Sequence, residues 1–305
     1  MVFEWSKYMQ TKEFLEASRI MLLPEDFRPL VKKWLGLQDG MRVLDVGCGT
    51  GLFSQYLAAV TKDCEYTGID IDAHFIAGAK EKAEGKEGNS FKYIVADALD
   101  LPFSGKQFDL VVSLAALTNI GEPVAALKEM RRVVKPGGLV ASLTAQSLKV
   151  IPIGTGRYPP SHKHYYFQLA QMTERVLKAY EKMIPKTEFF RGVEAEEVPR
   201  LFVSAGLWNI CMYALGRGFS LSNAAMDDRE KARYIELNYI AELDKFNAYA
   251  RLDGFEAYLS GEDCDSYRAL LRMRRDALLA EVGENAVWEW YGGGSFVMTG
   301  VAPLL

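Results

Sequence analysis

The sequence predicts an α/β fold: a doubly wound, mostly parallel, seven-stranded sheet with helical cap insertions. Three observations predict it. From Met41 to Leu143, short apolar runs alternate with longer amphipathic ones, the pattern of crossover units in a parallel sheet. One of those runs, Phe108-Asp109-Leu110-Val111-Val112-Ser113, is nearly continuous in apolar character, as a strand covered on both faces should be. A turn holding Gly47, Gly49 and Gly51 joins the first strand to the first crossover helix.

Taken in order, residues 1–40 read as an N-terminal helical cap. Phe14, Leu15, Ile20, Met21 and Leu22 precede Pro24, and Phe27, Leu30, Val31, Trp34 and Leu35 follow at helical spacing. Gly36 and Gly40 then break the chain ahead of a ligand-binding core over 41–145. Its strands are Arg42-Val43-Leu44-Asp45-Val46, Tyr66-Thr67-Gly68-Ile69-Asp70, Phe91-Lys92-Tyr93-Ile94-Val95, the run from Phe108, and Leu139-Val140-Ala141-Ser142-Leu143. Helices are expected over 52–58, near 75–83 and near 124–133, the last ending at a Lys135-Pro136-Gly137-Gly138 turn. An aromatic-rich insertion follows over 146–192, with a helical pattern through 168–183. Residues 193–220 supply a crossover helix and a sixth strand, Trp208-Asn209-Ile210-Cys211-Met212-Tyr213-Ala214-Leu215. One long helical stretch, roughly 223–282, fills an insertion over 221–287. Residues 288–305 hold the last strand, Ser295-Phe296-Val297-Met298-Thr299-Gly300-Val301.

Bulk properties narrow the function classes. Forty acidic residues against 36 basic ones give a net charge of −4, so the surface has no general attraction for phosphate backbones and nucleic acid is not an expected partner. Cys48, Cys64, Cys211 and Cys264 have no paired spacing, which argues against a zinc site or a disulfide framework; no metal is expected. No apolar core follows Lys7 as in a signal peptide, and no apolar run has membrane-spanning length. A cytoplasmic protein without a membrane partner is expected.

The sharpest signal is Asp45-Val46-Gly47-Cys48-Gly49-Thr50-Gly51 between strand and helix. Glycines there permit a tight turn and let backbone N–H groups approach a ligand. The dinucleotide fingerprint needs glycine or alanine where Leu52 stands, so the motif disfavours an NAD-dependent oxidoreductase. An acidic residue followed by alternating glycines resembles motif I of the class I S-adenosylmethionine-dependent methyltransferases, within them the small-molecule type 11, UbiE-like group. The resemblance spans roughly Arg42 to Leu143 and several ordered motifs. It implies a Rossmann-like fold, S-adenosylmethionine as cofactor and S-adenosylhomocysteine as product. It assigns the methionine moiety to Asp45, Gly47, Cys48, Gly49 and Gly51, and the ribose to Asp70, with Ile71 packed on the adenine. Asp97, Ala98 and Leu99 would read the adenine edge, and the Ser113 backbone would lie near the methionine portion. Any one of Asp45, Asp70 and Asp97 taken alone reads as a capping or turn residue. Three carboxylates at the carboxyl ends of successive strands mark the edge where open α/β sheets bind ligands.

The reaction the resemblance implies is an in-line methyl transfer, which needs positioning more than acid–base chemistry. The segment from Ser113 to Asn119 lacks the Asp/Asn-Pro-Pro-Tyr/Phe run of enzymes that methylate planar amino groups, and Asn119 stands near where many small-molecule members carry histidine. No catalytic base is assigned; His162 and His164, in the aromatic insertion, are the candidates, against a plain reading as solvated loop histidines. His74 reads as structural. Arg19 reads first as a solvated side chain and second as a contact for the cofactor carboxylate. The stripe Tyr234, Ile235, Leu237, Tyr239, Ile240, Leu243 and Phe246 suits a helical lid over a small or medium-sized organic acceptor, a homodimer interface or plain core packing. The alternative function is a non-catalytic cofactor-binding module in regulation or interaction. Transfer of a different alkyl group stays open too.

Overall fold

The computed structural model describes residues 6, 11–85, 87–146, 163–183, 197–221, 224–284 and 290–304. Among them, seven strands form one sheet in the order β3-β2-β1-β4-β5-β7-β6. The strands are β1 (Arg42–Val46), β2 (Glu65–Asp70), β3 (Ser90–Val95), β4 (Phe108–Leu114), β5 (Val134–Gln146), β6 (Trp208–Ser220) and β7 (Trp290–Val301). Pairings from β3 through β5 are parallel, and β7 runs antiparallel between β5 and β6. Each parallel pair needs a crossover, and the alternating helices supply it.

Strand alternation sorts the core into two faces. Leu44 and Val46 of β1 and Val111 of β4 join Leu127, Met130 and Val133 of a helix over Pro123–Val133 (α5) and Phe202 of a helix over Val198–Ser204 (α7). Val43, Leu110 and Val112 point the other way, onto Val31 of a helix over Arg28–Trp34 (α2) and Phe53 and Leu57 of a helix over Leu52–Ala58 (α3). A helix over Ala73–Ala83 (α4) packs Ile76 and Ala79 on Tyr93 of β3.

Three further helices, over Lys163–Met183 (α6), Asp228–Ala250 (α8) and Gly261–Ala280 (α9), enclose a separate apolar cluster around Phe246, Tyr249 and Tyr267. The first helix, Lys12–Leu22 (α1), packs along α8. Thr11 donates to Asp244 Oδ2 at 2.5 Å and accepts from the Phe14 N–H at 3.1 Å, so one hydroxyl both starts α1 and ties it to α8. On its other side Glu16 pairs with Lys82 of α4, and Lys12 with Glu81 at 3.5 Å.

The structure corrects two expectations. The expected long helix over 223–282 is two helices: Gly254 adopts φ +89°, and Ser260 and Asp263 form a reciprocal capping box that starts α9. The Lys135–Gly138 turn lies inside β5, where pairing steps from Phe108↔Val134 to Leu110↔Leu139 and bulges the residues between. No helix among the described residues is long and apolar enough to cross a membrane.

Candidate active site

The parallel strands end on one edge, and there a cavity of about 380 Å³ opens beneath α1. Its floor is the loop between β1 and α3. Gly47, Gly49 and Gly51 hold φ values of +71°, +53° and +74°, a left-handed path that side-chain-bearing residues rarely follow. Crowding adds to the requirement. A Cβ on Gly47 would overlap the Ala116 methyl, and one on Gly49 would stand 2.6 Å from Leu15 Cδ2 of α1. The loop's amides are already engaged. Gly47 and Cys48 donate to the Ile69 carbonyl at 2.8 and 2.9 Å, Gly51 to the Cys48 carbonyl at 2.9 Å, and Gly49 to Asp70 Oδ2 at 2.9 Å.

Three carboxylates reach this cavity from successive strands. Asp45, on β1, is buried; its Oδ2 accepts from Ser54 Oγ at 2.8 Å while its Oδ1 has no hydrogen-bond partner among the described residues. Burial pushes its carboxyl up to about 7, against the pull of Ser54 and Arg19, with Asp70 adding to the rise. Asp70 ends β2, accepts from the Gly49 and Asp72 N–H groups, and is also raised by burial. Asp97 follows β3 at the rim, where its Oδ1 accepts the Leu99 N–H at 2.9 Å. Arg19 of α1 completes the wall; burial lowers its guanidinium to about 10, which leaves it cationic at neutral pH.

Of the residues expected at a cofactor site, Asp45, Gly47, Cys48, Gly49, Asp70, Ile71, Asp97, Ala98 and Leu99 line this one cavity. Gly51 and Ser113 do not. Gly51 is packed under Tyr93 at the start of α3, and Ser113 is buried one residue short of the β4 end, where Leu114, Ala115 and Ala116 form the wall instead. His164 is exposed near the start of α6, its ring edge-on to Tyr165, and lines neither this cavity nor the neighbouring one; His162 lies outside the described residues. His74 is the second residue of α4, its N–H held by Asp72.

Ala115, Ala116 and Asn119 belong to the wall without having been singled out as ligand contacts. Ala115 takes φ +50°, fixed by its N–H on the Leu143 carbonyl and by Asn119 Nδ2 on its own carbonyl. The end of β4 signalled this segment, two residues beyond Ser113. Leu15 and Phe75 line the cavity as well, and no local pattern marks them, because a long-range docking of helices brings them there. Among the described residues, no group of three or more His, Cys, Asp or Glu could hold a metal ion.

Residues 44–142 match the methyltransferase domain family. The chain is 31% identical over 208 residues to demethylmenaquinone methyltransferase of Staphylococcus aureus strain JH9, covering 68% of this chain and 84% of that protein. A Bacillus halodurans C-125 structure assigned as a methyltransferase is similar in fold, with a TM-score of 0.50 at 16% identity, over 91% of this chain and 99% of that one. YcgJ of Bacillus subtilis gives 0.51 at 14% identity, over 91% and 98%.

Proposed function

This chain belongs to the class I, S-adenosylmethionine-dependent methyltransferase family, and on that premise we propose that it methylates a small or medium-sized organic acceptor from the cavity under α1. The observation that carries the reading is the convergence of Asp45, Asp70 and Asp97 on one cavity floored by the glycine loop. Two features of that cavity fit the cofactor. Asp45 Oδ1 is a buried acceptor in want of a donor, and the Gly47–Gly49 cradle is space that a Cβ would fill. A volume of about 380 Å³ is in the range of small-molecule sites.

When bound, S-adenosylmethionine supplies a methyl group already activated on sulfur. The chain's own residues then have positional work. Asp70 would take the ribose hydroxyls while two backbone N–H groups hold its carboxylate in place. Asp97, Ala98 and Leu99 would read the adenine edge, with Ile71 against its face. Asp45 would face the cationic end of the cofactor, and Leu15 would close the top and exclude water. The name of the Staphylococcus aureus relative supports a menaquinone-type acceptor.

The test is calorimetry with S-adenosylmethionine and S-adenosylhomocysteine, followed by transfer of labelled methyl to a panel that includes demethylmenaquinone. Saturable binding of both and a labelled product are expected. Tight binding with no transfer to any acceptor would favour a non-catalytic cofactor-binding module. Asp70→Ala and Gly49→Val should each abolish detectable binding without unfolding the protein. The first removes the ribose acceptor; the second drives a side chain into Leu15 from a strained backbone. Unchanged affinity in both would refute the site assignment.

A further inference from the structure

Among the described residues on the cavity wall, one cation faces three carboxylates: Arg19 against Asp45, Asp70 and Asp97. Its guanidinium donates to Ser18 Oγ at 3.3 Å and forms no ion pair among the described residues. It lies one helical turn beyond Leu15, the residue packed on Gly49, so both project from the same face of α1. α1 is pinned on both sides, by Thr11 to α8 and by Glu16 and Lys12 to α4, which fixes where that face points. Arg19 also borders a second cavity, of about 820 Å³, between α1, α3 and α8.

The proposed cofactor carries two positive centres, the sulfonium and the α-ammonium, and one negative group, the α-carboxylate. The carboxylates of the wall suit the positive centres and repel the negative one. A carboxylate needs donors, and the amides of Gly47, Cys48, Gly49 and Gly51 are spent on Ile69, Asp70 and Cys48. Thr50 Oγ1, buried and without a hydrogen-bond partner among the described residues, remains as a neutral donor on the same wall. Arg19 remains as the charged one, and a guanidinium pairs with a carboxylate through two parallel hydrogen bonds.

We propose that Arg19 takes the α-carboxylate of the cofactor's amino-acid moiety, so that the ligand itself fastens α1 over the cavity. This rests on the reading that S-adenosylmethionine binds there, and the two can fail separately. Occupied in this way, Arg19 would gain the ion-pair partner it does not have among the described residues, and α1 would become less mobile in the complex than without ligand.

The experiment compares S-adenosylmethionine with its decarboxylated analogue, which keeps the sulfonium and the amine, by calorimetry on the wild-type chain, Arg19→Met and Arg19→Lys. Wild type should prefer the carboxylate-bearing ligand by about tenfold or more, the size of a charge-assisted hydrogen bond. Arg19→Met should reduce that preference to about twofold or less while binding the decarboxylated ligand no worse than wild type, and Arg19→Lys should restore part of it. A preference that survives in Arg19→Met, or a wild type that binds both ligands equally, overturns the assignment and leaves the cofactor site standing. A wild type that binds neither ligand overturns both. Thermal unfolding of each variant separates a missing interaction from a missing fold, and the wild-type comparison needs no variant at all.

Discussion

Asp45 keeps its proton to near-neutral pH because burial penalises its charge more than the Ser54 hydroxyl and the Arg19 cation support it. Asp70, Cys48 and Tyr93 face it too, and none of them offers a positive charge. Folded Asp45 titrates at about 7 against an ordinary 3.8, so its contribution to stability is full below about pH 4 and is lost as pH rises through 7. Asp45→Asn removes that charge, and above pH 7 the cofactor-free variant should be more stable than wild type by about 2–4 kcal/mol. Denaturant unfolding from pH 4 to 8 checks this; parallel curves for the two proteins would contradict it. The same linkage predicts cofactor affinity. A cationic ligand favours ionised Asp45, so below pH 7 binding must expel a proton. Affinity should rise with pH toward 7 in wild type and flatten in Asp45→Asn, as calorimetry in buffers of different ionisation enthalpy can show. At this scale the sequence was most legible where chemistry repeats locally. Asp45 lies near the end of β1, Asp70 ends β2 and Asp97 follows β3, all strands that the alternation already marks, and the three meet in one cavity. The end of β4 reads as Ser113 and lies at Leu114, because a strand's end cannot be read from its apolar run. Leu15 and Arg19 reach the wall through a helix that docks from far along the chain, and no spacing announces that.

Among the elements, α1 covers the cavity with Leu15 and Arg19, and it is held there by its packing along α8 and by polar ties on both sides. Thr11 is its N-cap and its tie to Asp244, and Glu16 and Lys12 hold it to α4. The Lys12–Glu81 pair is open to solvent at Glu81 and contributes little, whereas the Thr11 hydroxyl both caps α1 and ties it to α8. Thr11→Ala should cost about 1–2 kcal/mol locally. It should raise amide exchange across 12–22, weaken cofactor binding several-fold, and leave exchange in β1 and β4 unchanged. Equal exchange in α1 of the variant and wild type would show that the hydroxyl is dispensable. The strands β1 to β4 were legible to within a residue or so, because each is a short apolar run bounded by turn residues. The division of 223–282 was hidden by apolar periodicity that continues across it. Ser260-Gly261-Glu262-Asp263 is a capping signal in plain view, yet Asp at the third helical position is a less familiar partner than Glu or Gln. The β5 bulge was missed for a different reason: Lys135-Pro136-Gly137-Gly138 has turn composition, and long-range partners keep it within the strand, β4 on either side and Ala302 on the backbone of Gly137 and Gly138.

Over the whole molecule, apolar burial falls into two bodies. The sheet carries its own core on both faces, whereas α6, α8 and α9 close on one another around Phe246, Tyr249 and Tyr267. Phe246 is edge-on to Phe255 and Tyr267 and lies under the Arg268 guanidinium at 5.2 Å. Phe246→Ala leaves a cavity where those rings meet, and a change of that kind costs about 3–5 kcal/mol. Because the Phe246 ring packs within the helical body, the cost should fall there. Hydrogen exchange should show α6, α8 and α9 losing protection together while β1, β4 and β5 keep theirs, the behaviour of a separate cooperative unit. A uniform loss across the chain would mean that sheet and helices unfold as one. The two bodies meet at the Thr11–Asp244 hydrogen bond and along the packing of α1 on α8, so loosening the helical body should also loosen the cover of the cofactor cavity. Cofactor affinity should therefore fall in Phe246→Ala although the mutated ring does not line that cavity. Adding Thr11→Ala should then lower affinity by less than the two single effects combined, since both act on the same link. Full additivity would separate the helical body from the cofactor site and remove the case for reading it as a lid.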